Sequence, residues 1–135
     1  SAPNRIASAL KVVNVADSIA RTAANANIII MGDMNDTYGS EPLDILLLAR
    51  EPLHILSENL HKNGKGTLKY KGVWELIDHF VVSETLSGYS MEIFAPDFLL
   101  ESDRQYLSKK PRRTYNGPKY LGGVSDHLPI VLHKK

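Results

Sequence analysis

The segment from Ile28 to Asn35 constrains the fold of this chain more than any other. It opens with four consecutive apolar residues, Ile28 to Met31, and turns polar immediately after Gly32. Such a run is too short and too uniformly apolar for a surface helix, so it predicts a buried strand covered on both faces. Asp33 and Asn35 follow at the end of this strand. Because α/β enzymes commonly keep their chemistry at such sheet edges, the segment predicts a site as well as a sheet.

The residues on either side of this strand predict an α/β fold. From Pro3 to about Ala24, apolar residues recur at three- and four-residue steps, which indicates an amphipathic helix directly before the strand. Ser40 suits the N-cap of a second helix that runs from Glu41 to about Arg50. A helix that is followed directly by a buried strand is typical of layered α/β proteins.

The second half of the chain is read mainly as strands. Three extended segments are predicted, of which the middle one should be central: Thr67 to Lys71, Glu75 to Ser83 and Ser90 to Phe94. A short helix is expected within Phe98 to Tyr106. Ser108 to Gly123, rich in Lys, Arg, Pro and Gly, predicts a loop before a last strand, Leu128 to His133.

Size and composition limit the possible classes of protein. At 135 residues the chain suits one domain. Its net charge of +1 gives no overall attraction to nucleic acid, although one stretch concentrates positive charge. The absence of cysteine excludes disulfides and thiolate metal sites and leaves the compartment open. No run approaches the roughly 18 apolar residues of a membrane span. The chain begins Ser-Ala-Pro-Asn without an initiator Met, so we expect an excised or processed piece.

Asp33, Asn35, Asp78 and His127 are the residues that could carry chemistry. In an extended backbone Asp33 and Asn35, two positions apart, point the same way, although the same string is also typical of a plain turn. Asp78 lies within an apolar strand, where a carboxylate needs a partner such as a histidine. An Asp bonded to one imidazole nitrogen of His127 would fix the tautomer and leave the other nitrogen free for a phosphate oxygen. Carboxylate, amide and imidazole together suggest phosphoester hydrolysis.

Three strings resemble motifs of the endonuclease/exonuclease/phosphatase superfamily, in the right order and over most of the chain. Ile30-Met-Gly-Asp-Met-Asn35 is similar to a strand that ends in Gly-Asp-Phe-Asn, with Met34 in place of the aromatic. The segment from Gly66 to Ser83 resembles the one that ends in the family's Ile-Asp-His strand. Gly122 to Val131 is similar to the closing Ser-Asp-His-x-Pro-Val motif.

The resemblance implies a role for each of five residues. Asp33 would position or deprotonate the attacking water, and Asn35 would hold the scissile phosphate. Asp78 would orient His127, which would stabilise charge on the phosphoryl oxygens. Asp126 would approach a Mg²⁺ or Mn²⁺ ion, since Mg²⁺ prefers carboxylates and water. The substrate implied is a phosphoester, whether nucleic acid, sugar phosphate or phospholipid head group.

The same resemblance implies that the chain is the C-terminal half of such a domain. The family's first half carries an Asn, a metal-binding glutamate and a further His, and Asp17 is the only acidic residue upstream of Asp33. The expected fold is half of a four-layer α/β sandwich, with one mainly antiparallel mixed sheet and helices on one face. Such a half exposes an apolar sheet face, so we expect it to meet the missing half or to dimerise.

Three further interpretations stay open. Asp33 to Glu41 could form a calcium loop, although Tyr38 stands where an EF-hand requires Gly and a strand precedes it instead of a helix. The chain could also be a non-catalytic interaction module with a degenerate site. Trp74 could flank a substrate, as could Tyr70, but aromatic residues in strands more often pack across the sheet.

Overall fold

Helices and strands alternate along the first half of the chain, and strand hairpins occupy most of the second half. The computed structural model describes all residues, 1–135. Three helices and eleven strands follow in chain order: α1 (Ala2–Thr22), β1 (Ile29–Asp33), α2 (Glu41–Leu46), β2 (Leu53–Ile55), α3 (Glu58–Lys62), β3 (Leu68–Tyr70), β4 (Val73–Glu75), β5 (Asp78–Ser83), β6 (Tyr89–Ile93), β7 (Leu100–Asp103), β8 (Ser108–Pro111), β9 (Tyr115–Asn116), β10 (Lys119–Tyr120) and β11 (Ile130–Lys134). Short 3-10 turns precede β6 and β7.

Strand β5 is the centre of the fold. It pairs antiparallel with β1 on one side and with β2 on the other, which confirms the predicted central position. The side chain of Ser83, at the end of β5, accepts a hydrogen bond from the backbone N–H of Ile28 (2.9 Å) and donates one to the carbonyl of Ala26 (3.0 Å). These bonds extend the ladder beyond β1 and hold its register against β5.

The main core lies where α1 and α2 pack on one face of this sheet. Its buried members are apolar residues from both helices and from β2 and β5: Ala9, Val13, Leu43, Leu46, Leu53, Ile55 and Val81. Pro at the start of each helix removes an N–H that would have no partner there. The predicted α/β class, with antiparallel strands and helices against one face, is confirmed.

A second core lies on the other face of β5, because successive residues of a strand point to opposite sides. Phe80 packs there with Leu76 and with Met91 of β6. Strands β6 and β11 form their own antiparallel pair, and α3 contributes Leu60 to the same cluster. Strand β5 is therefore buried on both faces, which explains its continuous apolar sequence.

Strand β1 is less covered than its sequence predicts. The prediction of burial on both faces is wrong, because Ile29 is exposed and the side chain of Met31 is 69% exposed. β1 is also an edge strand, paired only with β5. Its outer side and α1 form an apolar groove of about 620 Å³ that includes Val15 and Ile19. Apolar side chains are thus exposed at the β1 edge of the sheet.

Two other predictions fail in the second half of the chain. The segment Phe98 to Tyr106 holds no α-helix: a 3-10 turn, Asp97–Leu99, leads into β7, which pairs with β8. Ser108 to Gly123 is not simply a loop, since it contains β8 and the small hairpin of β9 and β10. The second helix is shorter than predicted, and β2 and α3 were not predicted. No helix is long and apolar enough to cross a membrane.

Truncating a core side chain should separate the contribution of the α1–α2 core from surface effects. Leu43 is only 1% exposed, so Leu43→Ala leaves a cavity and should lower the free energy of unfolding by about 2–5 kcal/mol. Leu48, which is 71% exposed, provides the matched control, and Leu48→Ala should change the free energy of unfolding by about 0.5 kcal/mol or less. Urea unfolding followed by circular dichroism measures both. Equal effects would contradict this assignment of the core.

Candidate active site

The pairing of β1 with β5 places two carboxylates side by side. In this register Asp33, the last residue of β1, is the direct cross-strand partner of Asp78, the first residue of β5. Side chains directly opposite in an antiparallel pair have Cβ atoms about 5 Å apart, and like charges there destabilise the sheet. The structure therefore concentrates negative charge at one edge, where a cation or an imidazolium is needed to offset it.

His127 supplies the third group of this cluster. Its Nδ1–H donates a hydrogen bond to Oδ2 of Asp78 at 2.8 Å, and the hydroxyl of Thr67 donates to the same oxygen. Because the carboxylate can only accept, the bond fixes the ring with Nδ1 protonated and leaves Nε2 free. Oxygen or nitrogen atoms of Asp33, Asp78 and His127 all lie within 4.8 Å of one another. These three predicted site residues, far apart in sequence, are thus brought together.

The segment that carries His127 is held against β3. Leu68 and His127 form an isolated antiparallel bridge, and the N–H of Leu128 donates to the carbonyl of Thr67 at 2.8 Å. Thr67 is fully buried, so its hydroxyl supports the Asp78 carboxylate from inside the protein. The sequence contained no signal for this role of Thr67, because the residue stands at the edge of a predicted strand beside Gly66.

Two opposing effects set the pKa of His127. Partial burial of the ring lowers its pKa, but the hydrogen bond and charge of Asp78, followed by the charges of Asp126 and Asp33, raise it by more. The net result is a pKa above the ordinary histidine value. His127 is therefore predisposed to the cationic form, which can stabilise an oxyanion.

The turn after β1 differs from the extended backbone that the sequence suggested. Gly32 has a φ of +135° and Asn35 a φ of +53°, and the N–H of Asn35 donates to Oδ1 of Asp33 at 2.9 Å. The expectation of an extended backbone from Asp33 to Asn35 is therefore wrong. The segment forms a turn, and it also lies at the carboxylate cluster. The interpretation of this string as a turn is therefore compatible with its interpretation as part of a site.

Two predicted site residues lie outside the cluster. The carboxylate of Asp126 is half exposed and pairs with Nη2 of Arg113 at 3.5 Å. Trp74, on β4, lines a different groove of about 590 Å³ together with Leu60 and Met91, and Nζ of Lys69 lies 5.3 Å from its ring centroid. Trp74 therefore lies apart from the cluster of Asp33, Asp78 and His127.

His79, next to Asp78, is a buried residue that sequence reasoning did not single out. It is 0% exposed, its Nε2–H donates to the carbonyl of Asp36 at 2.7 Å, and the hydroxyl of Ser57 donates to its Nδ1 at 2.6 Å. Burial lowers the pKa of His79, against smaller opposing effects from the Asp36 carbonyl and from Asp78. Through these two hydrogen bonds a neutral His79, which lies on β5, connects the loop after β1 with the start of α3.

The calcium-loop interpretation finds no support in this geometry. The side chain of Asp36 pairs with Nε of Arg5 on α1 at 2.5 Å instead of joining Asp33. Asp33 belongs to the cluster with Asp78 and His127, whose two carboxylates are hard oxygen donors of the kind that a divalent cation such as Mg²⁺ prefers. A metal site is therefore more consistent with the sheet edge than with the loop after it.

Comparison with known proteins points to one family. The model of the Endonuclease/Exonuclease/phosphatase family matches residues 1–135. A mannosyl-6-phosphatase of Bacteroides thetaiotaomicron has a similar structure, with a TM-score of 0.61 and 18% identity over 98% of this chain and 46% of that chain. An endonuclease/exonuclease/phosphatase family protein from the same organism has a TM-score of 0.60 and 18% identity over 98% of this chain and 45% of that one. The chain thus spans less than half of these proteins. No curated protein sequence matches it.

The two site histidines should titrate on opposite sides of the ordinary histidine pKa, about 6.5. Ring NMR of the chain in EDTA should show His127 above that value and His79 below it. Asp78→Asn should lower the pKa of His127, whereas Asp97→Asn, an exposed control, should not. Values for His127 at or below 6.5 in the parent chain would contradict the Asp78 pair.

The same shifts have opposite effects on stability. The pair formed by His127 stabilises the fold fully below about pH 6.5 and is lost as the pH rises through the folded pKa, because the folded state binds the proton more tightly. The pKa of His79 is depressed, so its contribution is present above about pH 6.5 and is lost as the pH falls.

Proposed function

Because the chain belongs to the endonuclease/exonuclease/phosphatase family, we propose that it carries part of the active site of a metal-dependent hydrolase that cleaves phosphoester bonds with water. The observation that carries this proposal is the hydrogen bond between His127 and Asp78 at 2.8 Å, beside the carboxylate of Asp33. This arrangement offers a base, an oriented cation and a concentration of negative charge at one point.

Each residue of the cluster has a distinct part in the proposed reaction. Asp33 orients the attacking water and accepts its proton, since its carboxylate is exposed at the strand end. Asp78 keeps Nδ1 of His127 protonated. The free Nε2 of His127, on a ring whose pKa is raised, then donates to the phosphoryl oxygens as charge develops on them. In this proposal Asn35, which shares the turn with Asp33, contacts the scissile phosphate.

We propose Mg²⁺ or Mn²⁺ as the cofactor. The concentration of hard oxygen donors at this sheet edge, where like charges need compensation, suits such an ion. Asp126 is a further candidate ligand, since its exposed ion pair with Arg113 costs about 1 kcal/mol or less to open. When bound, the metal offsets the negative charge of the phosphoryl group.

We further propose that the chain is the C-terminal portion of one domain. It covers 46% of the mannosyl-6-phosphatase chain whose fold it resembles, and β1, which ends at Asp33, presents an open edge and an apolar groove along α1. In this proposal the remaining portion covers that groove and supplies further ligands, so the isolated chain is inactive. A homodimer of the chain is the alternative way of covering the same face.

Activity of the complete protein tests the enzyme proposal. With Mg²⁺, hydrolysis of phenyl phosphate or of bis-p-nitrophenyl phosphate should occur and should stop in EDTA. Asp33→Asn and His127→Gln should each lower kcat by about 10²–10⁴-fold, because they remove a proton acceptor and a charge donor. Release of phosphate or of nitrophenol measures the rate.

Exposed residues of the same types provide matched controls. Asp97→Asn, in a 3-10 turn away from the cluster, and His54→Gln, paired with Glu84 on the surface, should leave kcat within about twofold of the parent. A complete protein that hydrolyses neither substrate in the presence of Mg²⁺ contradicts the proposal.

Self-association of the isolated chain tests the open face of β1. The 135-residue chain should sediment as a dimer or larger species and bind a hydrophobic dye, because Ile29 and Met31 are exposed on an edge strand. Met31→Lys should reduce both signals, whereas Val73→Lys, at an exposed position on the β3–β4 hairpin, should not. A monomeric chain that binds no dye would argue against an open apolar face.

A further inference from the structure

The turn that follows β1 is held at Asp36, a residue without a part in the chemistry proposed above. On one side, Nε of Arg5 on α1 donates a hydrogen bond to the carboxylate of Asp36 at 2.5 Å. On the other side, Nε2–H of His79 on β5 donates to the backbone carbonyl of Asp36 at 2.7 Å. These two contacts are the anchors of the turn. Because Asp36 directly follows Asn35, a helix and the central strand together fix the segment that carries Asn35.

Asn35 adopts a conformation that its own segment holds only weakly. Its φ of +53° lies in the left-handed region, which residues other than glycine rarely occupy. The N–H of Asn35 donates to Oδ1 of Asp33 at 2.9 Å, but this carboxylate is the proposed proton acceptor. The bond weakens when the carboxylate takes up a proton, because a charged acceptor becomes neutral. A rare backbone conformation persists when the surrounding structure determines it, so Asn35 depends on the anchors at Asp36.

The anchor at His79 is rigid, because both nitrogens of its ring are used inside the protein. A carbonyl oxygen only accepts, so Nε2 carries the hydrogen that is donated to Asp36. The neutral ring then accepts at Nδ1 from the hydroxyl of Ser57 at 2.6 Å. His79 and Ser57 are both 0% exposed, so water does not compete for this bond. Through His79, the strand that carries Asp78 also sets the position of Asp36.

The anchor at Arg5 keeps the charge of Asp36 in place. Asp36 lies three residues after Asp33, yet its carboxylate does not belong to the cluster and is bound by the guanidinium of Arg5 instead. The side chains of the pair are only 35% and 18% exposed, so water screens their attraction less than that of an exposed ion pair. Arg5 also lines a cavity of about 340 Å³ together with Asp33 and Asn35. The anchor therefore lies at the edge of the site.

We propose that Arg5 and His79 are positioning residues, which act through Asp36 to hold Asn35 against the scissile phosphate. The inference rests on the proposed hydrolase function, in which Asn35 contacts that phosphate. Both side chains act within the protein, since Nε of Arg5 and the two ring nitrogens of His79 are engaged there. A displacement of about 1 Å at a reacting group can lower the rate about 100-fold, so loss of either anchor lowers kcat more than it raises KM.

Kinetics of the complete protein with Mg²⁺ and phenyl phosphate test the anchor at Arg5. Arg5→Gln should lower kcat by about 10–100-fold and change KM by less than about threefold. Arg21→Gln, which removes an exposed cation from the same helix, is the matched control and should leave kcat within about twofold of the parent. In an Asn35→Ala background, Arg5→Gln should have no further effect on kcat, because the group that it positions is gone. An equal loss in both backgrounds means that Arg5 only stabilises the fold, and it refutes the proposal.

Two substitutions of His79 test the second anchor. The amide nitrogen of a glutamine reaches the position of Nε2, whereas that of an asparagine reaches only the position of Nδ1. His79→Gln should therefore keep the bond to the Asp36 carbonyl and retain kcat within about threefold, while His79→Asn should lower kcat about tenfold or more. Equal kcat values in the two variants contradict the assignment. If thermal unfolding shows that either variant does not fold, the Arg5→Gln experiment decides the question alone.

Amide hydrogen exchange without turnover separates this inference from the hydrolase proposal. In the complete protein the N–H of Asn35 should exchange about tenfold faster in Arg5→Gln and in His79→Asn than in the parent. The N–H of Leu99, bonded to the Pro96 carbonyl at 3.0 Å in another turn, should exchange equally in all three. A parent protein that hydrolyses phenyl phosphate, with Asn35 exchange independent of both residues, refutes the positioning role alone. A parent protein without hydrolase activity that shows this dependence refutes the hydrolase alone.

Discussion

The antiparallel register of β1 against β5 is the constraint on which the rest of the structure depends. It is held by the backbone ladder and by Ser83, whose side chain bonds both ends of the segment that enters β1. A slip of one residue would reverse the direction of every side chain of β1 and separate Asp33 from Asp78. The repulsion between these two carboxylates is thus a direct consequence of the strand pairing. The fold tolerates it because His127 lies against one of them.

Two consecutive residues of β5 show how the same strand serves chemistry and structure. Asp78 points to the cluster, where the ring of His127 is drawn toward the cationic form. His79 points to the opposite side and is kept neutral by burial, with both ring nitrogens satisfied by Ser57 and by the carbonyl of Asp36. The alternation of side chains along a strand therefore separates two imidazole environments whose protonation differs in direction. The neutral one positions the turn that carries Asp33.

The sequence predicted the strands that meet at the site, because their apolar runs and motif strings are local signals. The sequence could not predict that Met31 on β1 would be exposed. Hydrophobicity indicates a preference for burial, but it does not identify the segment that would cover the residue. The strands β7 and β8 form a local hairpin, but they were missed because their residues are mainly polar and because Phe98, Leu99 and Leu100 imitate a short apolar helix. The motif string also did not show which way the side chain of Asp126 points. In the turn where the N–H of His127 bonds the Ser125 hydroxyl, neighbouring side chains diverge, one to Arg113 and the other to Asp78.

Neither hydrophobic cluster contains a residue between positions 94 and 129, although Leu99 and Leu128 of this stretch are buried. A region of this kind can accept insertions, deletions and new side chains at small cost to folding. The two clusters therefore form the frame that holds the site, and the β7–β10 segment lies outside them. For a protein engineer, exchanging the β7–β10 hairpins is therefore a way to change the surface of the molecule while leaving this frame intact.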